Sequence, residues 1–231
     1  MSEWWTYRLR DFLLFSPRTY FRLFEIYNSA IWPAQIAALG LGLVILLLLR
    51  HPSSSRGRWV SAILAASWLW VAIAFHMKRY ATINWTAVYF GWGFVLEAAL
   101  WIGLGALGRL TWTQPPDLAR RVGLGILLFA LAVEPLAAPI LGREWRQIPI
   151  FGVTPDPTAL ATLGVLLAAS GPARGALAVI PTLWCALSFA TLLAMKAPEA
   201  WMIAGLGIVA AGTALYVRRQ ASSRAPSEGS L

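Results

Sequence analysis

Seven long apolar runs alternate with short polar strings along the chain. They are Ile26–Leu49, Trp59–Phe75, Trp85–Leu107, Val122–Leu141, Pro157–Ala169, Gly175–Met195 and Ala200–Val217. A helix that crosses a bilayer needs about 20 residues, and six of the runs come close to that length. The fifth is short. It can extend backward through Ile148–Val153, where Pro149, Pro155 and Pro157 would interrupt it. The strings His51–Arg58, Thr113–Asp117 and Gly171–Arg174 supply helix breakers between runs. No linker is long enough to hold a second domain. The pattern predicts an all-α membrane protein, with a bundle of about seven transmembrane helices over residues 26–217.

The first 25 residues follow a different pattern. Trp5, Leu9, Phe12 and Leu13 fall on one helical face, and Glu3, Thr6 and Arg10 on the other. This predicts an amphipathic interfacial segment over residues 1–25, leading into the first span. Met1–Phe15 has neither the clean apolar stretch nor the small-residue cleavage site of a signal peptide. Ser16-Pro17 predicts an N-cap followed by proline at the first helical position, with Arg18, Arg22 and Glu25 forming a polar stripe on the helix that follows. Residues 218–231 are polar and Ser-rich, which predicts a disordered tail.

Composition supports the membrane reading. Of 231 residues, 58% are hydrophobic and 13% charged, about half the charged share of a soluble domain. A net charge of +9 raises the question of nucleic acid. The arginines sit at the ends of apolar runs and form no continuous basic face, so contact with lipid headgroups is the expectation and nucleic acid is not. Cys185, the one cysteine, lies inside an apolar run. It allows no intrachain disulfide or Cys-based zinc site. Among 13 tryptophans, Trp4, Trp5, Trp32, Trp59, Trp85, Trp112, Trp145 and Trp201 fall near run ends, as interfacial indoles do. Trp68, Trp70, Trp92, Trp101 and Trp184 fall inside runs, where core packing is their commoner use. With seven spans, nine Lys/Arg lie on the N-terminal side and ten on the other. The expected location is the bacterial cytoplasmic membrane, with the N-terminus outside and the tail in the cytoplasm.

Two acids sit deep in apolar runs: Glu97 in the third and Glu134 in the fourth. An acid at the bilayer centre costs about 2.5–3.5 kcal/mol on insertion scales, so it faces the bundle interior or a wet cavity. Pro135 follows Glu134 and frees a carbonyl one turn back, the kind of broken turn where transporters hold ligands. The two glutamates are on adjacent antiparallel runs and are expected to approach one cavity. His76 ends the second run, where capping or headgroup contact is the commoner role. Asp156, in Thr154-Pro-Asp-Pro-Thr158, is expected first as a cap of the fifth helix and second as a solute contact. Glu134, Glu97, His76 and Asp156 are thus the candidates for binding solute or proton. His51 and His76 are too far apart in sequence to suggest a metal site, and no cofactor is indicated. No phosphate loop, nucleophile elbow or metalloprotease motif is present, which argues against an enzyme. No lysine sits mid-run as a retinal-binding lysine would. The spacings Pro33-x5-Leu39-Gly40 and Pro157-x5-Leu163-Gly164, with Trp68/Trp85 and Trp184/Trp201 each 17 apart, suggest a parallel 3+1+3 repeat.

The strings Asp11-Phe-Leu-Leu-Phe-Ser-Pro-Arg-Thr-Tyr20, Glu25-Ile-Tyr-Asn28 with Trp32-Pro33, Tyr80-Ala-Thr-Ile-Asn-Trp85, and Asp156-Pro-Thr158 with Thr162-Leu-Gly164 resemble a family of bacterial multi-pass membrane proteins of unknown function. The resemblance implies a class and carries no site residues. The expected function is a small-solute or proton-coupled transporter or channel. The alternative is a non-catalytic membrane subunit or scaffold that docks on a partner complex through Trp-rich faces. The expected partners are the lipid bilayer and either membrane subunits or further copies of the chain.

Overall fold

The computed structural model describes residues 11, 13–51, 53–107, 110–112 and 116–224. The helix predicted over Met1–Phe15 falls mostly outside the described residues, as do Arg109 and residues 225–231 of the predicted tail; residues 218–224, expected to be disordered, are instead the last turns of a helix that ends at Arg224. The described residues form nine α-helices and no strand. They are α1 Pro17–Ala30, α2 Ala34–Arg50, α3 Ser54–Trp70, α4 Ala87–Leu100, α5 Asp117–Leu128, α6 Glu134–Ile140, α7 Pro155–Leu167, α8 Ala173–Ala194 and α9 Ala200–Arg224. Three are extended by wider π-helical turns: α3 by Val71–Met77, α4 by Trp101–Ala106, and α5 by Phe129–Val133, which runs on into α6.

Five of these helical stretches are long and apolar enough to cross a membrane: Ser54–Thr82, Ala87–Ala106, Asp117–Ile140, Ala173–Ala194 and Ala200–Gln220. A sixth is counted if α1 and α2, which meet at 90°, act as one broken span. Seven apolar runs therefore yield six such stretches at most. The run that differs is the fifth. Its helix, α7, has 13 residues, about 20 Å of rise, well short of a bilayer core.

The physical reason is the proline cluster. A residue before proline is pushed out of the α region, and Thr154 is extended, with φ −124° and ψ 154°. Pro155 and Pro157 then fit only the first turn. Ahead of α7, residues 148–154 stay non-helical, and their backbone groups are held by threonine. The Thr154 hydroxyl accepts from the Ile150 N–H and donates to the Ile150 carbonyl (2.7 and 2.9 Å). The Thr158 hydroxyl accepts from the Gly152 N–H and donates to the Thr154 carbonyl (2.9 and 2.6 Å). Gly152 has φ +78°, which favours glycine.

Every residue of α7 is buried. Its tightest neighbour is α5. A Cβ on Gly164 would lie 2.6 Å from the Gly123 carbonyl oxygen, and a Cβ on Gly123 would collide with the Gly164 carbonyl oxygen. Two glycines facing each other let the backbones touch, the small-residue contact typical of membrane helices. On the other side, the Trp68 indole N–H donates to Thr162 Oγ1 (2.9 Å).

The loops gather at two ends. At one, Arg120 donates to the Arg50 carbonyl (2.9 Å), and Thr111 and Ser170 exchange backbone hydrogen bonds. At the other, α1 lies across the bundle with Tyr20, Leu23, Phe24 and Tyr27 buried. Its start is as predicted: Ser16 caps it by accepting from the Thr19 N–H, and Pro17 follows. Asn28 donates to the Arg146 and Ile148 carbonyls, and the Tyr27 hydroxyl donates to the Val153 carbonyl. Helix α1 thus clamps the extended stretch that leads into α7. Trp32, Trp85, Trp145 and Trp201 are all exposed at this end, as interfacial indoles would be. Trp112 departs from that pattern. It is buried against Gly57, where any Cβ would overlap its indole.

Candidate functional site

The first turn of α7 starts inside the bundle, and a small cavity of about 40 Å³ lies beside it. That volume has room for roughly three water molecules. Glu134 from α6, Asp156 from α7, Glu199 from the turn before α9 and Arg143 from the loop after α6 all line it, with Tyr20 of α1 among the apolar walls. Three carboxyl groups therefore share one pocket with one guanidinium.

Each group is placed by a local feature. Glu134 follows the π turn Phe129–Val133 and precedes Pro135, which has no N–H to donate. The carboxyl is buried, its Oε2 has no hydrogen-bond partner, and it is close enough to Asp156 to interact electrostatically. Asp156 Oδ1 accepts from the Trp184 indole N–H of α8 at 2.7 Å. Arg143 Nη2 lies 2.6 Å from Glu199 Oε1, an ion-pair contact outside hydrogen-bond geometry. The same guanidinium sits 3.5 Å above the Phe21 ring centre, a cation–π contact. Burial pulls the Arg143 guanidinium below its ordinary pKa, and the Glu199 carboxylate beside it pushes back.

His76 is fully buried, so it does not make the exposed capping or headgroup contact that its place in the sequence suggested. The π turn Val71–Met77 carries it into an aromatic nest. Its ring centre is 4.4 Å from Phe94 and 4.9 Å from Trp184, and neither ring nitrogen has a partner. Trp184 therefore packs edge-to-face with His76 and donates its N–H to Asp156. The expected capping role of Asp156 is also corrected, because its carboxyl binds an indole from another helix. Glu97 is buried in α4 just before a π turn. The Trp101 indole lies beside it without meeting hydrogen-bond geometry, and neither carboxyl oxygen has a partner. Glu97 does not line the cavity. The acids that share it with Glu134 are Asp156 and Glu199.

The sequence reading missed Arg143, Glu199, Tyr20 and the bonding role of Trp184. A signal existed for the first two. The loops after the fourth and sixth runs must lie on the same side of a bundle whose runs alternate in direction, so Arg143 and Glu199 could have been paired.

Compared with known proteins, residues 18–225 match the model of a family of unknown function, DUF6064. No curated protein and no solved structure matches the chain.

Proposed function

We propose that this chain, which belongs to the DUF6064 family, is a multi-pass membrane protein that moves a proton or small cation through the cavity at the start of α7. One observation carries the reading: a buried pocket at a helix break, with three carboxyls against one guanidinium. Broken helices at membrane depth are tolerated where they line a cavity, and transporters place coupling-ion sites there. An excess of carboxyls favours a cation or proton over an anion. The cavity is closed to large solutes, which suits a proton, a small cation or a small polar solute that carries one.

The reading includes seven crossings. Helix α2, α3 with its π turn, α4 with its π turn, α5–α6, α8 and α9 make six. Residues 148–170 make the fifth in order, half extended and half helical, running from the Arg146 end to the Thr111–Ser170 end. The chain termini then lie on opposite sides. With ten Lys/Arg against nine, the positive-inside rule leans toward a cytoplasmic position for the end holding Arg50, Arg56, Arg58, Arg120, Arg121 and Arg174. Glu144→Cys and Pro172→Cys should react with an impermeant maleimide from opposite sides of the membrane. Labelling of both from one side would remove the fifth crossing.

Transport is tested with purified protein in proteoliposomes holding a pH-sensitive dye, under a potassium–valinomycin potential. The wild type should move protons. Glu134→Gln, which keeps shape and most hydrogen bonds, should fold and lose about 100-fold or more in rate, the order seen when one positioned proton-transfer group is removed. Equal rates in the two proteins would sink the reading.

A second reading, a subunit that docks on a partner complex, is favoured by one face of α4. Tyr89, Trp92 and Leu96 are exposed there along the span, a continuous apolar and aromatic stripe. Flux by the purified chain alone decides between the two.

A further inference from the structure

The end of the bundle opposite the cavity carries a wide groove of about 1350 Å³. Arg50 and His51 at the end of α2, Arg56 and Arg58 in α3, and Arg120 in α5 all line it, and among the described residues no Asp or Glu does. Two of these arginines are used by the fold: Arg56 donates to the His51 carbonyl (2.6 Å) and Arg120 to the Arg50 carbonyl (2.9 Å). The side chains of Arg50 and Arg58 are exposed, with no hydrogen bond or ion pair among the described residues. Four guanidiniums that face one groove repel one another unless an anion sits between them. The groove is also lined by Leu107, Leu110 and Trp112, so its rim is basic and part of its wall is apolar.

We propose that this groove binds a phosphate-bearing headgroup, supplied by an anionic lipid whose acyl chain runs along the apolar wall. The position fits. The groove opens where the spans end, at the level of the headgroups, and the Ser53 and Ser54 hydroxyls add donors beside the arginines. The same phosphate chemistry is found in free phosphate, which has no use for the apolar wall. The inference is independent of what the cavity at the other end transports.

The test uses the purified full chain in detergent. Native mass spectrometry follows retention of phosphatidylglycerol, cardiolipin and phosphatidylcholine, and calorimetry follows inorganic phosphate. The two anionic lipids should be retained and phosphatidylcholine lost. Arg50→Gln and Arg58→Gln should each weaken retention roughly fivefold, and the double variant roughly 25-fold, at about the affinity that one arginine contributes near an anionic surface. Lipid-free melting should not change, because neither side chain holds the loop. Arg121→Gln, at the same end but outside the groove, should leave retention unchanged. Tight binding of inorganic phosphate with no retained lipid would assign the groove to a soluble phosphate and overturn the lipid. Equal retention of phosphatidylcholine, or unchanged retention in the double variant, would overturn the site.

Discussion

Gly164→Val should lower the melting temperature of the purified protein by on the order of 10 °C, or prevent it from being recovered folded. A Cβ at Gly164 would lie 2.6 Å from the Gly123 carbonyl oxygen and 2.9 Å from the Leu127 nitrogen. Both are backbone atoms, which cannot rotate out of the way. Overpacking a core typically costs about 1–3 kcal/mol, and here two helix axes must separate, so the upper end applies. For a chain of this size each kcal/mol moves the midpoint by about 2–4 °C. The loss would spread, because α7 is buried on all sides and loosening α5 exposes it. Gly123→Val should behave alike, since the contact is reciprocal. Gly125 is two residues along the same helix, and a Cβ there meets nothing within 4 Å. Gly125→Val should therefore leave the midpoint unchanged or slightly raised, because valine is the better helix former of the two. Similar melting of the Gly123 and Gly125 variants would show that the close crossing of α5 and α7 is absent.

That crossing also shows where sequence reasoning stops. The apolar runs, the Ser16-Pro17 start of α1 and the exposed tryptophans at run ends are local patterns, set by nearest neighbours and by the solvent around a helix end. They were legible. The shortness of α7 was half legible, because Pro155 and Pro157 mark a break without saying how far the chain runs before it coils. That α7 is buried on every side was not legible, since a lipid-facing helix and a protein-facing helix have similar apolar sequences. Glu134 stood out because a carboxyl in an apolar run needs a reason. Arg143 and Glu199 lie in loops, where charge is ordinary, and only the fold brings them over the same pocket. His76 was misplaced by position alone. It ends an apolar run, but the π turn around it shifts the register and turns the ring inward. Asp156 drew attention for its prolines, yet its partner, the Trp184 indole, is 28 residues away on another helix.

Arg143→Ala should destabilise the protein more than Glu199→Ala does, and should abolish proton movement. For an isolated buried ion pair the two losses would be similar, because each leaves one uncompensated charge, at about 3–5 kcal/mol when fully buried. This pair is mostly but not fully buried, with 17% and 12% of the two side chains exposed, so solvent screens part of that cost and about 2–3 kcal/mol is the expected scale. The cavity breaks the symmetry. Losing Glu199 leaves Arg143 its contact with the Phe21 ring, and Glu134 and Asp156 still line the same space. Losing Arg143 leaves three carboxyls with no cation among the residues that line the pocket, and removes the cation–π contact to Phe21. The double variant Arg143→Ala/Glu199→Ala should recover only part of the stability, because Glu134 and Asp156 would still face each other without the guanidinium. Arg143→Lys keeps the charge and loses the planar contact with Phe21, so it should fall between the wild type and Arg143→Ala. Thermal unfolding of the five proteins in one detergent, with the liposome assay on those that fold, gives the order. If Arg143→Ala and Glu199→Ala melt together, and the double variant returns to the wild-type midpoint, the pair acts alone and the cavity's carboxyls do not share the guanidinium.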